Sequence, residues 1–144
     1  MVTQRNLQPQ DAKDLTELYN EYDWWGDRTV PEVRKTLIET DITNGIELNG
    51  NLIASCRVLT DYTYYARVFD VIVKKEHQNE GVGKKLMRTT QNHPELQSVP
   101  GISLLCREGL APFYKSTGFE IFGPKVDHPD GNPEELIRMT YSKD

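Results

Sequence analysis

A chain of 144 residues, 37% hydrophobic and 27% charged, suits one soluble domain with a single core. Its net charge of −5 argues against general nucleic-acid binding. No apolar run approaches the roughly 18 residues of a membrane span, and residues 1–14 lack the apolar core of a signal peptide, so a cytoplasmic protein with no membrane partner is expected. Cys56 and Cys106 stand at neither CxxC nor metal-ligand spacing and lie in apolar runs, which predicts buried free thiols. His77, His93 and His128 are scattered away from acids and cysteines at metal spacing, so no metal site is expected.

Taken in order, residues 2–7 read as a short strand. Pro9 fits a first helical turn, and Ala12, Leu15, Leu18, Tyr19 and Tyr22 follow at helical spacing, predicting a helix over 9–22. Asp23 to Arg28 breaks that period with Trp24, Trp25 and Gly26, a hydrophobic plug or a pocket wall. Thr29 and Glu32 form a capping box for a second helix whose apolar face is Val30, Val33, Leu37 and Ile38. Asn49-Gly50 between the runs 46–48 and 51–59 signals a hairpin. A polar turn at 60–63 leads to a strand over 64–73.

A helix then runs from Gly81 to about Asn92, ahead of Pro94. Residues 101–106 read as a buried strand, parallel to 64–73 because a crossover helix separates them. A short helix over 108–117 ends at Gly118, a strand covers 119–122, a Gly/Pro/Asp-rich loop covers 123–134, and a last strand covers 136–141. The order βααβββαβαββ predicts an α/β (α+β) single domain over 1–144. Its sheet should be mixed, mostly antiparallel, and flanked by helices on both faces.

Residues 68–88 carry the chemistry. An apolar strand breaks into a polar turn, and a helix opens at Gly81-Val82-Gly83. The first N–H groups of a helix lack partners and point out of its positive end, which makes an anion site. Five basic residues (Lys74, Lys75, Lys84, Lys85, Arg88) face only Glu76 and Glu80 within this block of an acidic chain. A dinucleotide fingerprint fails because Leu86 stands where its third glycine belongs. A Walker loop fails because Lys85 replaces Ser/Thr. The pattern Q/R-x-x-G-x-G/A matches in full as Gln78-Asn79-Glu80-Gly81-Val82-Gly83.

About thirty residues on stands Tyr114-Lys115-Ser116-Thr117-Gly118-Phe119. Together the two segments resemble the GCN5-related N-acetyltransferase (GNAT) superfamily, whose members carry V-x-P-E-x-[RQ]-x-x-G-x-G/A before a helix and later YxxxGF. The motif match lies in residues 68–119; the expected strand order extends it over nearly the whole chain.

The resemblance implies an acetyl-CoA-dependent N-acetyltransferase acting on an amine of a small molecule or peptide. It implies backbone N–H groups of Gln78, Asn79, Glu80, Gly81, Val82, Gly83 and Lys84 on the CoA pyrophosphate. It also implies Val71, Ile72 and Val73 pairing with the pantetheine amides. Tyr114 would lie at the sulfur and protonate the leaving thiolate, a phenol of pKa about 10 serving a thiol of about 8.5. Two positions depart from the family pattern. Lys75 replaces the usual proline. Arg107 replaces an asparagine that helps hold pantetheine, so Arg107 either contacts a CoA phosphate or leaves that contact to backbone.

Asp70, an acid inside an apolar strand, is the candidate general base, with a pKa raised by burial; the alternative is an ion pair with Arg57 or Arg67. Asp61 and Glu21 are weaker candidates, and water can take the proton instead. Trp24, Trp25, Arg57, Asp61 and the loop 123–134 are expected to line the acceptor pocket. The acid excess outside the glycine turn suits a cationic acceptor. A non-catalytic acyl-CoA-binding or sensing domain is the alternative function, and a monomer or homodimer is expected.

Overall fold

In the computed structural model, which describes residues 2–125 and 136–143, Asn49 and Gly50 both take left-handed backbone, with φ of 53° and 84°. That pair joins β2 (Ile42–Leu48) to β3 (Asn51–Thr60) as an antiparallel hairpin. Before it lie β1 (Val2–Asn6), α1 (Ala12–Tyr19) and α2 (Val30–Glu39). After it come β4 (Ala66–Val73), α3 (Val82–Gln91), β5 (Gly101–Arg107), α4 (Ala111–Lys115), β6 (Glu120–Ile121) and β7 (Leu136–Ser142). Among the described residues these strands form one sheet in the order β1-β2-β3-β4-β5-β7-β6. β4 and β5 pair in parallel and the other neighbours antiparallel. The mixed sheet and the parallel crossover match what the sequence predicts.

The sheet separates two apolar clusters. Val82, Leu86 and Met87 of α3 and Ala111 and Tyr114 of α4 pack on Ala54, Cys56, Val58, Val68, Ile102 and Met139. On the other face Leu15, Leu18 and Tyr19 of α1 and Val33 and Leu37 of α2 cover Leu52 and Ile72. Burying each such aliphatic side chain contributes roughly 1.5–3 kcal/mol. Both thiols are free and buried, as expected.

Several boundaries differ, for physical reasons. The first helix stops at Tyr19, and Tyr22 is extended (φ −118°, ψ 133°); its hydroxyl bonds to the end of β4 instead of its ring continuing the helical stripe. Val30 and Ile38 are exposed, so Val33 and Leu37 alone carry the buried face of α2. β2 begins at Ile42, through a polar run that reads as loop. Asn44 is fully buried there because its side chain is satisfied: its amide donates to Thr89 Oγ1 (2.9 Å) and Thr90 Oγ1 (2.8 Å), and its oxygen accepts from Gln4 (2.7 Å). β4 begins at Ala66, leaving Tyr64 and Tyr65 exposed at the hairpin tip. The helix after β5 shortens to Ala111–Lys115, preceded by a 3-10 turn at Glu108–Leu110. His128 and most of the loop 123–134 lie outside the described residues.

Candidate active site

The site begins where the sheet opens. β4 and β5 pair at one register position, Arg67 with Ser103, and from Phe69 to Val73 the far side of β4 has no ladder partner among the described residues. Lys74 N–H donates to the Ile53 carbonyl at 2.8 Å. Peptide groups alternate in direction along a strand. Those of Val71 and Val73 therefore point away from β3, into the opening. An extended ligand can pair with them as an added strand does. Ile72 departs from the sequence expectation: its peptide groups turn toward β3 opposite Ser55, and its side chain is buried under α1.

Beyond Val73 the chain climbs to α3. Asn79 and Gly81 take φ of 64° and 82°, conformations that asparagine and glycine tolerate best. Gly81 is the N-cap of α3 and offers no side-chain cap, and the first turn holds no acid. The first helical bond of the i→i−4 kind is Lys85 N–H to the Gly81 carbonyl, 3.1 Å. The N–H groups ahead of Lys85 therefore point out of the helix toward any anion in the turn. Val82 contributes only backbone here, since its side chain is buried in the core, whereas Lys84 is exposed. Gly83 serves packing instead, because a Cβ there would stand 3.0 Å from the Phe113 ring. Its hydrogen lets α4 pack against the start of α3 and the end of β4.

That packing positions Tyr114. Its ring meets Phe113 edge-on at 4.9 Å and Phe119 at 5.9 Å, and the residue is 5% exposed. Burial, with smaller contributions from the nearby Cys106 and Cys56, pushes its phenol well above the ordinary value of 10. Tyr114 therefore holds its proton at neutral pH.

Asp70 sits in a β-bulge. Arg57 pairs with Phe69 and Ser55 with Ile72, so two residues of β4 oppose the one residue between them. Asp70 itself has φ 54°. Its carboxylate accepts from both Arg28 amino groups (3.0 and 3.2 Å) and from Arg57 Nε (2.8 Å). Burial alone would raise its pKa; the hydrogen bonds and charges of Arg28 and Arg57 outweigh it, and the net displacement is downward. The expected upward shift is thus corrected. Asp70 is an ionised carboxylate held by two guanidinium groups, which fixes the bulge and suits it poorly to taking a proton. Of the two expected partners Arg57 is present, while Arg67 reaches Ser103.

The residues expected on the acceptor side divide. The rings of Tyr22, Trp24 and Trp25 contact one another with centroids 5.1–5.9 Å apart. Trp24 is 53% exposed, and Trp25 packs against the α1 cluster. The Arg107 guanidinium lies 4.6 Å from the centre of the Trp24 ring, joining the end of β5 to this aromatic wall. Arg57 is engaged by Asp70 and by Thr40 Oγ1 (3.0 Å). Asp61 is elsewhere: its carboxylate accepts from the N–H groups of Thr63, Tyr64 and Tyr65 and shapes the β3–β4 hairpin tip. Those bonds, that of Tyr65 foremost, lower its pKa. Glu21 accepts from Lys75 N–H at 3.0 Å.

Sequence reasoning misses two residues. Arg28 stacks over Tyr19 (4.5 Å) and Trp25 (5.6 Å) while binding Asp70. Its only sequence signal is a basic residue closing the Trp-Trp-Gly break. Tyr22 reads as one more apolar helical position. Instead its hydroxyl donates to the Val73 carbonyl and accepts from Gln78 Nε2.

A sheet split beside a glycine turn at a helix N-terminus gives this α/β protein an open strand edge next to an uncapped helix start. The acetyltransferase (GNAT) domain model matches residues 41–121, and the chain belongs to that family. It is 28% identical over 96 residues to GCN5-related N-acetyltransferase 2, chloroplastic, of Arabidopsis thaliana, covering 64% of this chain and 37% of that protein. The chain thus spans well under half the length of that relative. The structure of the ribosomal-protein-S18-alanine N-acetyltransferase from Escherichia coli superposes with a TM-score of 0.82 at 19% identity, covering 99% of this chain and 94% of that one. An aminoglycoside 6'-N-acetyltransferase complexed with coenzyme A gives 0.81 at 14% identity, covering 99% and 96%. These likenesses show the fold.

Proposed function

We propose that this protein is an N-acetyltransferase that moves an acetyl group from acetyl-CoA to an amine of a small molecule or protein by direct attack. The observation that carries the reading is the continuity of the opening beside Val71 and Val73 with the uncapped first turn of α3. One surface offers strand edge to an amide-bearing arm, and the other offers N–H groups to a pyrophosphate. A structure of the same fold is a coenzyme A complex, which supports the same reading.

Bound acetyl-CoA supplies an activated acyl carbon. The residues of this chain do the rest. Amides of the turn from Asn79 to Lys84 would hold the pyrophosphate, the Gln78 N–H being taken by the Lys75 carbonyl at 3.3 Å, and Val71 and Val73 would align the pantetheine arm. As the amine nitrogen bonds to the acyl carbon and the C–S bond breaks, the Tyr114 hydroxyl would stabilise the leaving thiolate by donating its hydrogen, shared as a hydrogen bond or passed on as a proton. Asp70, already paired with Arg28 and Arg57, keeps the bulge in shape, and water takes the proton of the amine.

Thiol release from acetyl-CoA across amines, polyamines, aminoglycosides and peptide N-termini tests this. Tyr114→Phe is expected to keep CoA binding and to slow transfer by about a hundredfold or more, the usual worth of a general acid. No thermal stabilisation by acetyl-CoA would refute the cofactor site. Stabilisation without transfer to any amine would favour a binding or sensing domain.

A further inference from the structure

The structure assigns Tyr22 a role that rests on the cofactor reading above: it is a positioning residue that couples the cofactor slot to the tryptophan wall. The Val73 carbonyl points into the opening beside β4, where it has no strand partner among the described residues. Tyr22 completes the hydrogen-bond ladder there by donating its hydroxyl hydrogen to Val73. The same oxygen accepts from Gln78 Nε2 at 2.6 Å. One phenol therefore bridges the exit of β4 and the first residue of the glycine-turn motif. Glu21, the preceding residue, takes the N–H of Lys75 at 3.0 Å, and Lys75 Nζ lies 5.1 Å from the centre of the Tyr22 ring. Two consecutive residues of the α1–α2 connection are thus pinned to the segment that would hold the cofactor.

The other side of Tyr22 is the wall. Its ring packs on Trp24 (5.1 Å) and Trp25 (5.9 Å), and Trp24 packs on Arg107 at the end of β5. The contacts therefore run from Gln78 through Tyr22 and Trp24 to Arg107, spanning the split between β4 and β5. A pantetheine amide that donates to the Val73 carbonyl takes the second lone pair of the oxygen that Tyr22 already binds, and so bears directly on the Tyr22 hydroxyl. A pyrophosphate in the turn moves or holds Gln78. Either event is transmitted to the tryptophans, so cofactor seating sets the shape of the acceptor side before the amine arrives. Coupling of this kind needs two sites and one element that both bias; here the element is the Tyr22 bridge.

The chain has two tryptophans, and both stand in this wall, so their emission reports on it directly. The probe is coenzyme A alone. Its binding is followed by calorimetry, and the wall by acrylamide quenching of tryptophan emission. In the wild-type protein CoA is expected to change the quenching constant. Tyr22→Phe is expected to bind CoA within about fivefold of wild type, the worth of one hydrogen bond, and to lose the CoA-dependent change. Gln78→Ala, which cuts one of the two bonds, is expected to reduce the change and carries the test should Tyr22→Phe fail to fold by circular dichroism. An unchanged CoA response in the variants overturns the bridge while leaving the cofactor site standing. Wild-type protein that binds no CoA overturns both.

Discussion

The two halves of the site are built from different material. The proposed cofactor half, from Val71 through Gly81 to the first turn of α3, presents backbone: peptide groups on an open strand edge and N–H groups on an uncapped helix. The proposed acceptor half presents side chains from three separate places: Tyr22, Trp24 and Arg28 of the α1–α2 connection, Asp70 of β4, and Arg107 at the end of β5. A backbone site needs particular dihedral angles, which glycine and asparagine at fixed spacing supply. A side-chain site needs particular neighbours, which only the sheet brings together. The first half should therefore fail through local strain and the second through loss of a distant partner.

Asp70→Asn should give the largest effect. Asparagine tolerates left-handed backbone, so the variant keeps the bulge conformation at φ 54° and removes only the charge. Arg28 and Arg57 are left part-buried without their carboxylate, which should cost roughly 2–3 kcal/mol in chemical denaturation. CoA affinity should fall much less than stability. A CoA site lost in proportion would mean that the halves are one unit.

Gly81→Val should do the reverse. A β-branched residue at φ 82° is strained, at about 1–2 kcal/mol, and the amides that it re-aims belong to the anion site. CoA binding should weaken on the order of tenfold or more, equivalent to about 1.4 kcal/mol, while the tryptophan emission of the free protein stays as in wild type.

Thr29→Ala removes the α2 cap, in which Thr29 accepts from Glu32 N–H and Glu32 from Thr29 N–H. It should cost about 1 kcal/mol of stability and leave CoA binding unchanged. A fall in CoA affinity would extend the coupling to α2.

The smallest expected effect is a pH dependence that separates the regions. His93 is buried, its Nε2 paired with Asn6 Oδ1 at 3.0 Å and its Nδ1 accepting from Glu95 N–H at 3.2 Å. Burial lowers its pKa from 6.5, against a smaller opposing effect of Glu95. Because the folded value is the lower one, its contribution is complete above 6.5 and is lost as pH falls through the folded value. Asp70 follows the same sign lower down: its contribution is complete above 3.8 and is lost as pH falls through the depressed value. Stability measured against pH should therefore show two acid limbs. His93→Gln should remove the upper limb, and Asp70→Asn should shrink the lower one, to which the depressed carboxyls of Asp11, Asp61 and Glu32 also contribute.

The element order, the Asn49-Gly50 hairpin, the Thr29 capping box and the glycine turn were legible because each depends on residues a few positions apart. The polar start of β2 was not. Asn44 reads as loop until Gln4, Thr89 and Thr90 are known to satisfy it. Tyr22 keeps helical period with Leu18 and Tyr19, and nothing local shows that a hydroxyl partner waits on Val73, 51 residues away.

Asp70 shows the division most plainly. An acid in an apolar strand correctly marked a special position, since burying a carboxylate without a partner is costly. Its pKa nevertheless moves down, because Arg28 and Arg57 arrive from elsewhere in the chain. Sequence alone determined where the backbone could bind an anion, because dihedral preference is a property of a residue and its neighbours. Only the tertiary structure decided which charges meet and which hydroxyl guards the opening of the sheet, because hydrogen bonds and ion pairs between side chains depend on distances that folding creates.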